Sequence, residues 1–434
     1  MVVSCFNFLF KNRLNENFVY NSLTNSLIEI SSDLYTELFI LSKKQKNVSE
    51  SNFDANILKI LKDHKILVNE HDDDSFILQK KYLNYLKSFK NDFLGLVIAP
   101  TLNCNFACPY CYENSIQQST ADNKTLRDIV DFIYNFKNID SLSICWHGGE
   151  PLLAFDKMLF FLENLYTRKN KLVITHSLIT NGYLLSNDKI EELRKYKLNY
   201  VQITIDGPPE HHNHNRPLKS GMPTYDKIIS NIDNILQKNP EITVNVRINV
   251  HKDNRNSFSE IYKTLTSRWK GHNYRISLVF VSDNDNCMVP CMKLHDRFNF
   301  LKELSMDKDL PKINFFPENQ VYGCTATYQN SFVIGPKGEF YKCWADIGNE
   351  ERIIGSIYEG LTNYSLIAEY MVGSDMFSDE KCLKCFLFPI CNGVCNLIRF
   401  ENKFRNEKAE NCPIDINSFA EILSLHQKQA KSNV

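Results

Sequence analysis

Leu94-Gly-Leu-Val-Ile-Ala-Pro-Thr-Leu-Asn-Cys104-Asn-Phe-Ala-Cys108-Pro-Tyr-Cys111 joins an apolar run of strand length to a loop with three cysteines in a C-x3-C-x2-C spacing. The run at 94–99 is the first of six strand candidates, followed by 142–146, 172–179, 200–205, 242–250 and 276–281. Between them lie stretches with apolar residues at helical spacing, such as 126–136, 189–196 and 225–236. Strands alternating with helices call for a parallel sheet. Six units fall short of the eight that close a barrel, so the expected fold class is α/β with a partial (β/α)6 barrel.

Three thiolates on one tight loop can hold three irons of a cubane cluster and leave the fourth open to an outside ligand. Structural zinc is the alternative, with a fourth ligand from elsewhere in the chain. Further polar signals fall where chemistry belongs in such a fold, at the C-terminal ends of strands. Trp146-His-Gly-Gly-Glu150-Pro ends the second strand, Thr180-Asn-Gly182 the third and Thr204-Ile-Asp-Gly207 the fourth. Gly148 and Gly149 would let backbone approach a ligand closely, and Glu150 could accept from an ammonium group.

The chain has fourteen cysteines, and the distal ones run Cys324, Cys343, Cys382, Cys385, Cys391, Cys395 and Cys412. In a protein expected to be cytoplasmic, such clusters favour metal binding over disulfides. The block Phe332-Val-Ile-Gly-Pro-Lys-Gly-Glu-Phe-Tyr-Lys-Cys343 reads as a hairpin turning at 336–338. On spacing alone these cysteines suit a zinc ribbon as well as iron–sulfur clusters. Cys5 and Cys145 stand apart in apolar runs and read as buried thiols.

Cys104, Cys108, Tyr110 and Cys111 match the C-x3-C-x-aromatic-C loop of the radical S-adenosylmethionine (SAM) superfamily, and Gly148, Gly149, Glu150 and Pro151 match its methionine-binding motif. The chain therefore resembles that family. The resemblance implies a [4Fe-4S] cluster on Cys104, Cys108 and Cys111 whose open iron chelates SAM. Reductive cleavage to a 5′-deoxyadenosyl radical would then abstract hydrogen from a substrate. The segment Asp206-Gly-Pro-Pro-Glu-His-His-Asn-His-Asn-Arg216-Pro is similar to the family's ribose- and carboxylate-binding stretch, with Thr204 and Arg216 as SAM contacts. His212 falls where the family carries a non-ligating histidine.

The distal cysteine order resembles the SPASM domain of radical SAM enzymes that modify peptides and proteins. By that resemblance Cys382, Cys385, Cys391 and Cys412 ligate one auxiliary [4Fe-4S] cluster. Cys324, Cys343 and Cys395 ligate another, open to substrate or completed by Cys287 or Cys291, giving three [4Fe-4S] clusters in all. Sulfatase-maturing relatives carry a catalytic Asp directly after the hairpin cysteine, whereas here Trp344 follows Cys343 and Asp346 lies two further on. No residue is assigned as the catalytic acid or base.

Residues 1–80 carry three short strand candidates, 6–10, 18–20 and 27–30, and two helical ones, 33–41 and 56–64, the first capped by Ser32 or Asp33. The pattern resembles the winged-helix-like leader-binding module of ribosomal-peptide maturases. Its leader site is expected at the edge 27–30 and a groove walled by Ile57, Ile60 and Leu61. The expected organisation is this module at 1–80, a polar linker at 81–93, the barrel at 94–304 and the SPASM domain at 305–434, with an amphipathic helix near 414–426.

The function expected is a peptide maturase that installs a thioether or carbon–carbon crosslink in a precursor peptide carrying a leader segment. An electron donor such as flavodoxin or ferredoxin would serve it. A sulfatase-maturing-type dehydrogenase and a catalytically silent metal scaffold are the alternatives. A formal net charge of −1 gives no electrostatic case for nucleic acid or a membrane surface, and no apolar run reaches the ~20 residues that span a bilayer. The motif spacings of dinucleotide and P-loop sites are absent from the sequence.

Overall fold

The computed structural model describes the chain except residues 45–46, 114–115, 169–171, 282–287, 312, 314–316, 318–322, 413 and 432–434. The described residues form two compact units. One comprises Met1–Phe89, Lys312–Cys324 and Glu369–Val434, the other Lys90–Pro311 and Thr325–Ala368.

In the first unit, β1 (Val2–Val3) pairs with a later short strand, and β2 (Asn7–Lys11), β3 (Asn17–Asn21) and β4 (Ser26–Ile30) form an antiparallel meander in the order β2-β3-β4. The central strand β3 is buried along its whole length, while β4 has one edge without a strand partner among the described residues. Helix α1 (Ser32–Lys44) is capped one residue before the expected pair, because Ser31 Oγ accepts from Leu34 N–H at 3.3 Å. Asp54 caps α2 (Ala55–Asp63) by accepting from Asn56 and Ile57, and β5 (Leu67–Val68) closes against β1. On α2, Ile57 and Ile60 are exposed, but Leu61 is buried among Val19, Leu38 and Ile66 and walls no groove. Cys5, read as buried, is exposed.

Helix α3 (Asp72–Ser88) runs through the boundary expected at residue 80, so the connector begins only after Ser88. Its inner face joins an aromatic core made with the C-terminal segment. Phe6 lies among Phe76, Phe377 and Phe388, and Phe8 stacks on Phe386 at 4.6 Å and meets Phe419 edge-on at 5.2 Å. Tyr85 donates to Asp375 at 2.7 Å. The N-terminal module and residues beyond 369 thus share one core.

The second unit is built on a ten-stranded sheet. Strands β6 (Phe93–Ile98), β7 (Ser141–Trp146), β8 (Val173–Thr180), β9 (Leu198–Thr204), β10 (Thr243–Val250) and β11 (Tyr274–Phe280) are parallel neighbours in chain order. Helices α4 (Asn123–Asn135), α5 (Phe155–Thr167), α6 (Asn187–Arg194), α7 (Pro209–Asn215), α8 (Tyr225–Lys238), α9 (Phe258–Arg268) and α10 (Leu294–Leu304) occur along this unit. Alternation sorts each strand into two sets. In β9, Val201 and Ile203 are fully buried while Gln202 and Thr204 are half-buried, and in β10 Asn245, Arg247 and Asn249 share the second face.

The cysteine hairpin is an extension of this sheet. β12 (Ser331–Ile334) pairs parallel with β6 on the side opposite β7, then turns at Gly335–Gly338 into β13 (Glu339–Tyr341), with β14 (Gly355–Ser356), β15 (Gly360–Leu361) and α11 (Tyr364–Ala368) following. Thus 325–368 belongs with the parallel sheet, while the remainder of the region from 305 is divided between the units. In the first unit the chain continues through α12 (Glu380–Leu383), α13 (Asn396–Phe404) and α14 (Phe419–Lys431). The last helix starts later than 414 because Asp415 caps a preceding 3-10 turn by accepting from Asn417. No described helix is long and apolar enough to cross a membrane.

Candidate functional site

The loop after β6 carries Cys104, Cys108 and Cys111 and is pinned on both flanks. Leu102 N–H donates to Ser119 O at 2.9 Å on one side. On the other, Ala107 N–H donates to Pro217 O at 3.0 Å and Lys219 N–H to Asn105 O at 2.8 Å. Burial pushes the Cys104 thiol up to about 11 and the Cys111 thiol up to about 12, and each of the other two loop cysteines is close enough to Cys111 to add to its shift. Such thiols favour a partner that replaces their protons with positive charge.

The Gly-Gly-Glu turn sits directly beneath this loop. A Cβ on Gly148 would lie 2.5 Å from Thr101 O, and one on Gly149 2.4 Å from Asn103 O. The glycines thus allow β7's end to pack against the cysteine loop. Glu150 is fully buried and its carboxylate is taken up by protein: Leu152 N–H at 3.1 Å, Thr180 Oγ1 at 2.7 Å and Asn181 N–H at 2.8 Å. It was expected to receive an ammonium group. Here it ties the ends of β7 and β8 together, and burial raises its pKa.

Tyr110 lies at the centre of a buried polar group. Its hydroxyl donates to Asp206, and accepts from Arg216 Nη1 at 2.7 Å and Asn249 Nδ2 at 3.3 Å. Among the described residues, Asp206 Oδ1 and Arg216 Nε are buried without a partner at hydrogen-bond geometry, although the Asn249 N–H faces the Asp206 carboxylate. One acceptor and one donor are therefore available, a pair that a ligand bearing both hydroxyl and carboxylate groups would satisfy. Thr204, at the end of β9, is half-buried and opposite Arg247 in register. His212 is fully buried, with Nδ1 accepting from Asp206 N–H and Nε2 3.1 Å from Thr224 Oγ1. Both ring nitrogens are occupied within the fold, and burial lowers its pKa.

Three neighbours of the motifs, Tyr112, Glu113 and His147, were not singled out by sequence reasoning. Glu113 follows the cysteine loop and lies 3.7 Å from His147 Nδ1, while Tyr112 hydroxyl lies 3.3 Å from His147 Nε2. Burial raises Glu113 to about 7 and lowers His147 to about 4. Trp344, next to Cys343, packs edge-on against His147 at 5.0 Å. Their signal was adjacency alone: Tyr-Glu directly after Cys111 and His directly before Gly148. Arg247 and Asn249 were likewise unassigned, and Asp206 was read only as part of the ribose- and carboxylate-binding stretch.

The distal cysteines divide between the units. Cys343 belongs to the sheet unit, and Cys324 and Cys395 to the other. Cys382, Cys385, Cys391 and Cys412 are brought together: Cys391 is near enough to raise each of the other three, and Cys385 also feels Cys412. Among the described residues no three His, Cys, Asp or Glu side chains already surround one metal position. Cys287 lies outside the described residues. Cys291 is half-buried, three residues beyond Met288, whose N–H donates to Pro109 O at 3.0 Å. Cys145 is half-buried.

Residues 98–265 match the model of the Radical SAM superfamily. A cysteine-type anaerobic sulfatase-maturating enzyme of Clostridium perfringens is 26% identical over 70% of this chain and 90% of its own length. The radical SAM cyclopropyl synthase TigE of Paramaledivibacter caminithermalis is 22% identical over 89% and 88%. Among solved structures, native anSMEcpe with bound AdoMet and Cp18Cys peptide superposes with TM-score 0.59 at 20% identity, covering 79% of this chain and 99% of that one. SuiB of Streptococcus suis bound to precursor peptide SuiA superposes with TM-score 0.51 at 18% identity, covering 96% and 99%.

Proposed function

We propose, for a chain that carries a radical SAM domain over residues 98–265, that it is a peptide maturase which modifies a ribosomally made precursor by a thioether or carbon–carbon crosslink. The observation that carries this reading is coverage. The SuiB likeness extends over 96% of this chain, against 79% for anSMEcpe, and that neighbour is one solved with a precursor peptide. The substitution of Trp344 for an acid after Cys343 also favours it. The sulfatase-maturing alternative keeps support from its 26% identity, but Asp346 is buried, with its N–H on Cys343 O at 3.2 Å.

In this reading Cys104, Cys108 and Cys111 hold a [4Fe-4S] cluster, a donor set that suits the loop's close, buried thiols. When bound, that cluster supplies the electron that cleaves SAM to methionine and a 5′-deoxyadenosyl radical. The chain's own residues position the cosubstrate. Gly148 and Gly149 set the closeness of loop and turn, and Glu150 fixes the turn by its three hydrogen bonds. Arg216 Nε offers a donor to the SAM carboxylate, Asp206 Oδ1 an acceptor to a hydroxyl, and Tyr110 holds both in place. Thr204 contributes at the adjoining strand end. Cys382, Cys385, Cys391 and Cys412 hold an auxiliary cluster.

Substrate recognition falls to the N-terminal module, whose edge strand β4 can pair with an extended leader. Exposed Ile57 and Ile60 offer apolar contacts. A low-potential donor such as flavodoxin or ferredoxin would reduce the enzyme in the cytoplasm. Co-expression with short reading frames found next to its gene, followed by tandem mass spectrometry, tests the proposal. The expected product has lost two hydrogens and resists fragmentation between the joined residues. A single Ser side chain that has lost two hydrogens, or a single Cys side chain oxidised by two electrons and hydrolysed to the aldehyde with release of hydrogen sulfide, would instead favour the sulfatase-maturing alternative.

A further inference from the structure

Arg399, on α13, is buried, and its three donors reach the loop before its own helix and two groups at the start of α12. Nε donates to Gly393 O at 2.6 Å, Nη1 to Asp379 Oδ2 at 2.8 Å and Nη2 to Cys382 Sγ at 3.1 Å. A guanidinium serving only to brace the chain is already anchored by the carbonyl and the carboxylate. The third donor is aimed at sulfur. A second cation approaches the same cysteines from another element. Lys80 of α3 donates to the carbonyls of Phe388, Pro389 and Cys391 at 2.7, 2.7 and 2.8 Å.

We propose that Arg399 is a positioning residue for the auxiliary cluster of Cys382, Cys385, Cys391 and Cys412, donating to the Cys382 thiolate and raising the potential at which that cluster accepts an electron. The inference rests on the proposed function, which assigns a cluster to these four thiolates. Reduction adds negative charge to a group already carrying four thiolates. A charge-assisted N–H···S bond therefore stabilises the reduced form more than the oxidised one. Partners that hydrogen-bond to ligating atoms both orient them and tune the metal centre. Lys80 adds a weaker contribution of the same sign, because it acts through backbone carbonyls and makes no contact with sulfur.

The test uses full-length protein with Cys104, Cys108 and Cys111 replaced by Ala, reconstituted anaerobically with iron and sulfide. The auxiliary electron paramagnetic resonance signal that Cys385→Ala removes is followed through a potentiometric titration. At the potential that half-reduces the parent cluster, Arg399→Gln is expected to lower the reduced-to-oxidised ratio about tenfold, the order expected for losing a hydrogen bond to a charged group. Arg399→Lys keeps the charge without the fork, with a drop of about threefold. Lys80→Met lowers the ratio by less than Arg399→Gln does.

Unchanged ratios in both Arg399 variants, with iron retained, would overturn the inference. If Arg399→Gln loses its iron, Arg399→Lys decides by the same ratio. Loss of iron from both variants would reduce Arg399 to a brace and also overturn it. A parent protein holding zinc in place of the auxiliary iron would fail one step earlier, in the cluster assignment itself.

Discussion

Replacing Gly149 by Ala tests whether the fit between the Gly-Gly-Glu turn and the cysteine loop governs SAM cleavage. The new Cβ would stand 2.4 Å from Asn103 O, 2.6 Å from Asn103 C and 2.7 Å from Leu102 O, all backbone atoms of the loop that leads into Cys104. No flexible side chain can move aside. To reach the 3.0 Å below which Cβ contacts are essentially never seen, the loop must retreat from the turn by 0.6 Å or more. Overpacking of this kind costs about 1–3 kcal/mol, and a misplacement approaching 1 Å at a reacting centre costs up to about 100-fold in rate. The expected result is a destabilised protein whose 5′-deoxyadenosine release, under anaerobic reducing conditions with saturating SAM, falls by about one to two orders of magnitude. Gly221→Ala is the control, since its Cβ meets nothing within 4 Å, and only its φ of +80° is strained. It is expected to lose about 1 kcal/mol of stability and no activity. A Gly149→Ala enzyme with wild-type iron content, stability and turnover would refute the reasoning.

The Cys104/Cys108/Cys111→Ala variant is expected to release no 5′-deoxyadenosine while keeping about eight of about twelve irons, on the cubane stoichiometry of three clusters. Undiminished release would remove the SAM cluster from this loop. Ile57→Lys with Ile60→Lys changes two exposed positions, so leader binding, measured by fluorescence anisotropy, is expected to weaken about tenfold with the melting temperature nearly unchanged. Equal leader affinity would move the docking site elsewhere. His176 is fully buried with Nε2 accepting from Trp146 Nε1 at 2.6 Å, and burial lowers its pKa to about 4. Between an unfolded value near 6.5 and that pKa the unfolded chain binds the extra proton, so stability falls as pH is lowered through this window, by up to ~3 kcal/mol. Denaturant titrations at pH 7 and pH 4.5 check it, and His176→Gln is expected to flatten the slope.

The parallel strands were legible because each is a short apolar run ending in a polar turn, and their edges fall within two residues of 94–99, 142–146 and the others. What joins the two ends of the chain was not legible. The core of the first unit depends on Phe8 meeting Phe386 and Phe419, pairs separated by most of the sequence and without any shared periodicity. The segment from Lys80 onward read as a polar connector because its lysines hide a helix. Along α3, Leu78, Tyr82, Leu83 and Leu86 are exposed, while Phe76 and Tyr85 turn inward. Removing residues 1–80 would therefore strip the core from 369–434 along with the leader-binding edge. Point changes on α2 separate binding from folding, and deletion does not.

The site divides along a similar line. Cysteines, glycines and a buried glutamate announce themselves because few other roles need those residue types at that spacing. The groups that govern what such ligands do carry no motif. Lys80 and Arg399 are ordinary cations in sequence, one on a helix whose second half was taken for a linker and one on a helix without assigned function. Only the fold sets Lys80 on the carbonyls of Phe388, Pro389 and Cys391, and Arg399 on the sulfur of Cys382. Glu150 shows the converse. Its motif is conspicuous in sequence, yet its carboxylate accepts from Leu152, Thr180 and Asn181, bonds that fix the turn and that no spacing announces. A spacing specifies where a cofactor can be held. How strongly it is held, and at what potential it works, depends on hydrogen bonds from residues remote in sequence.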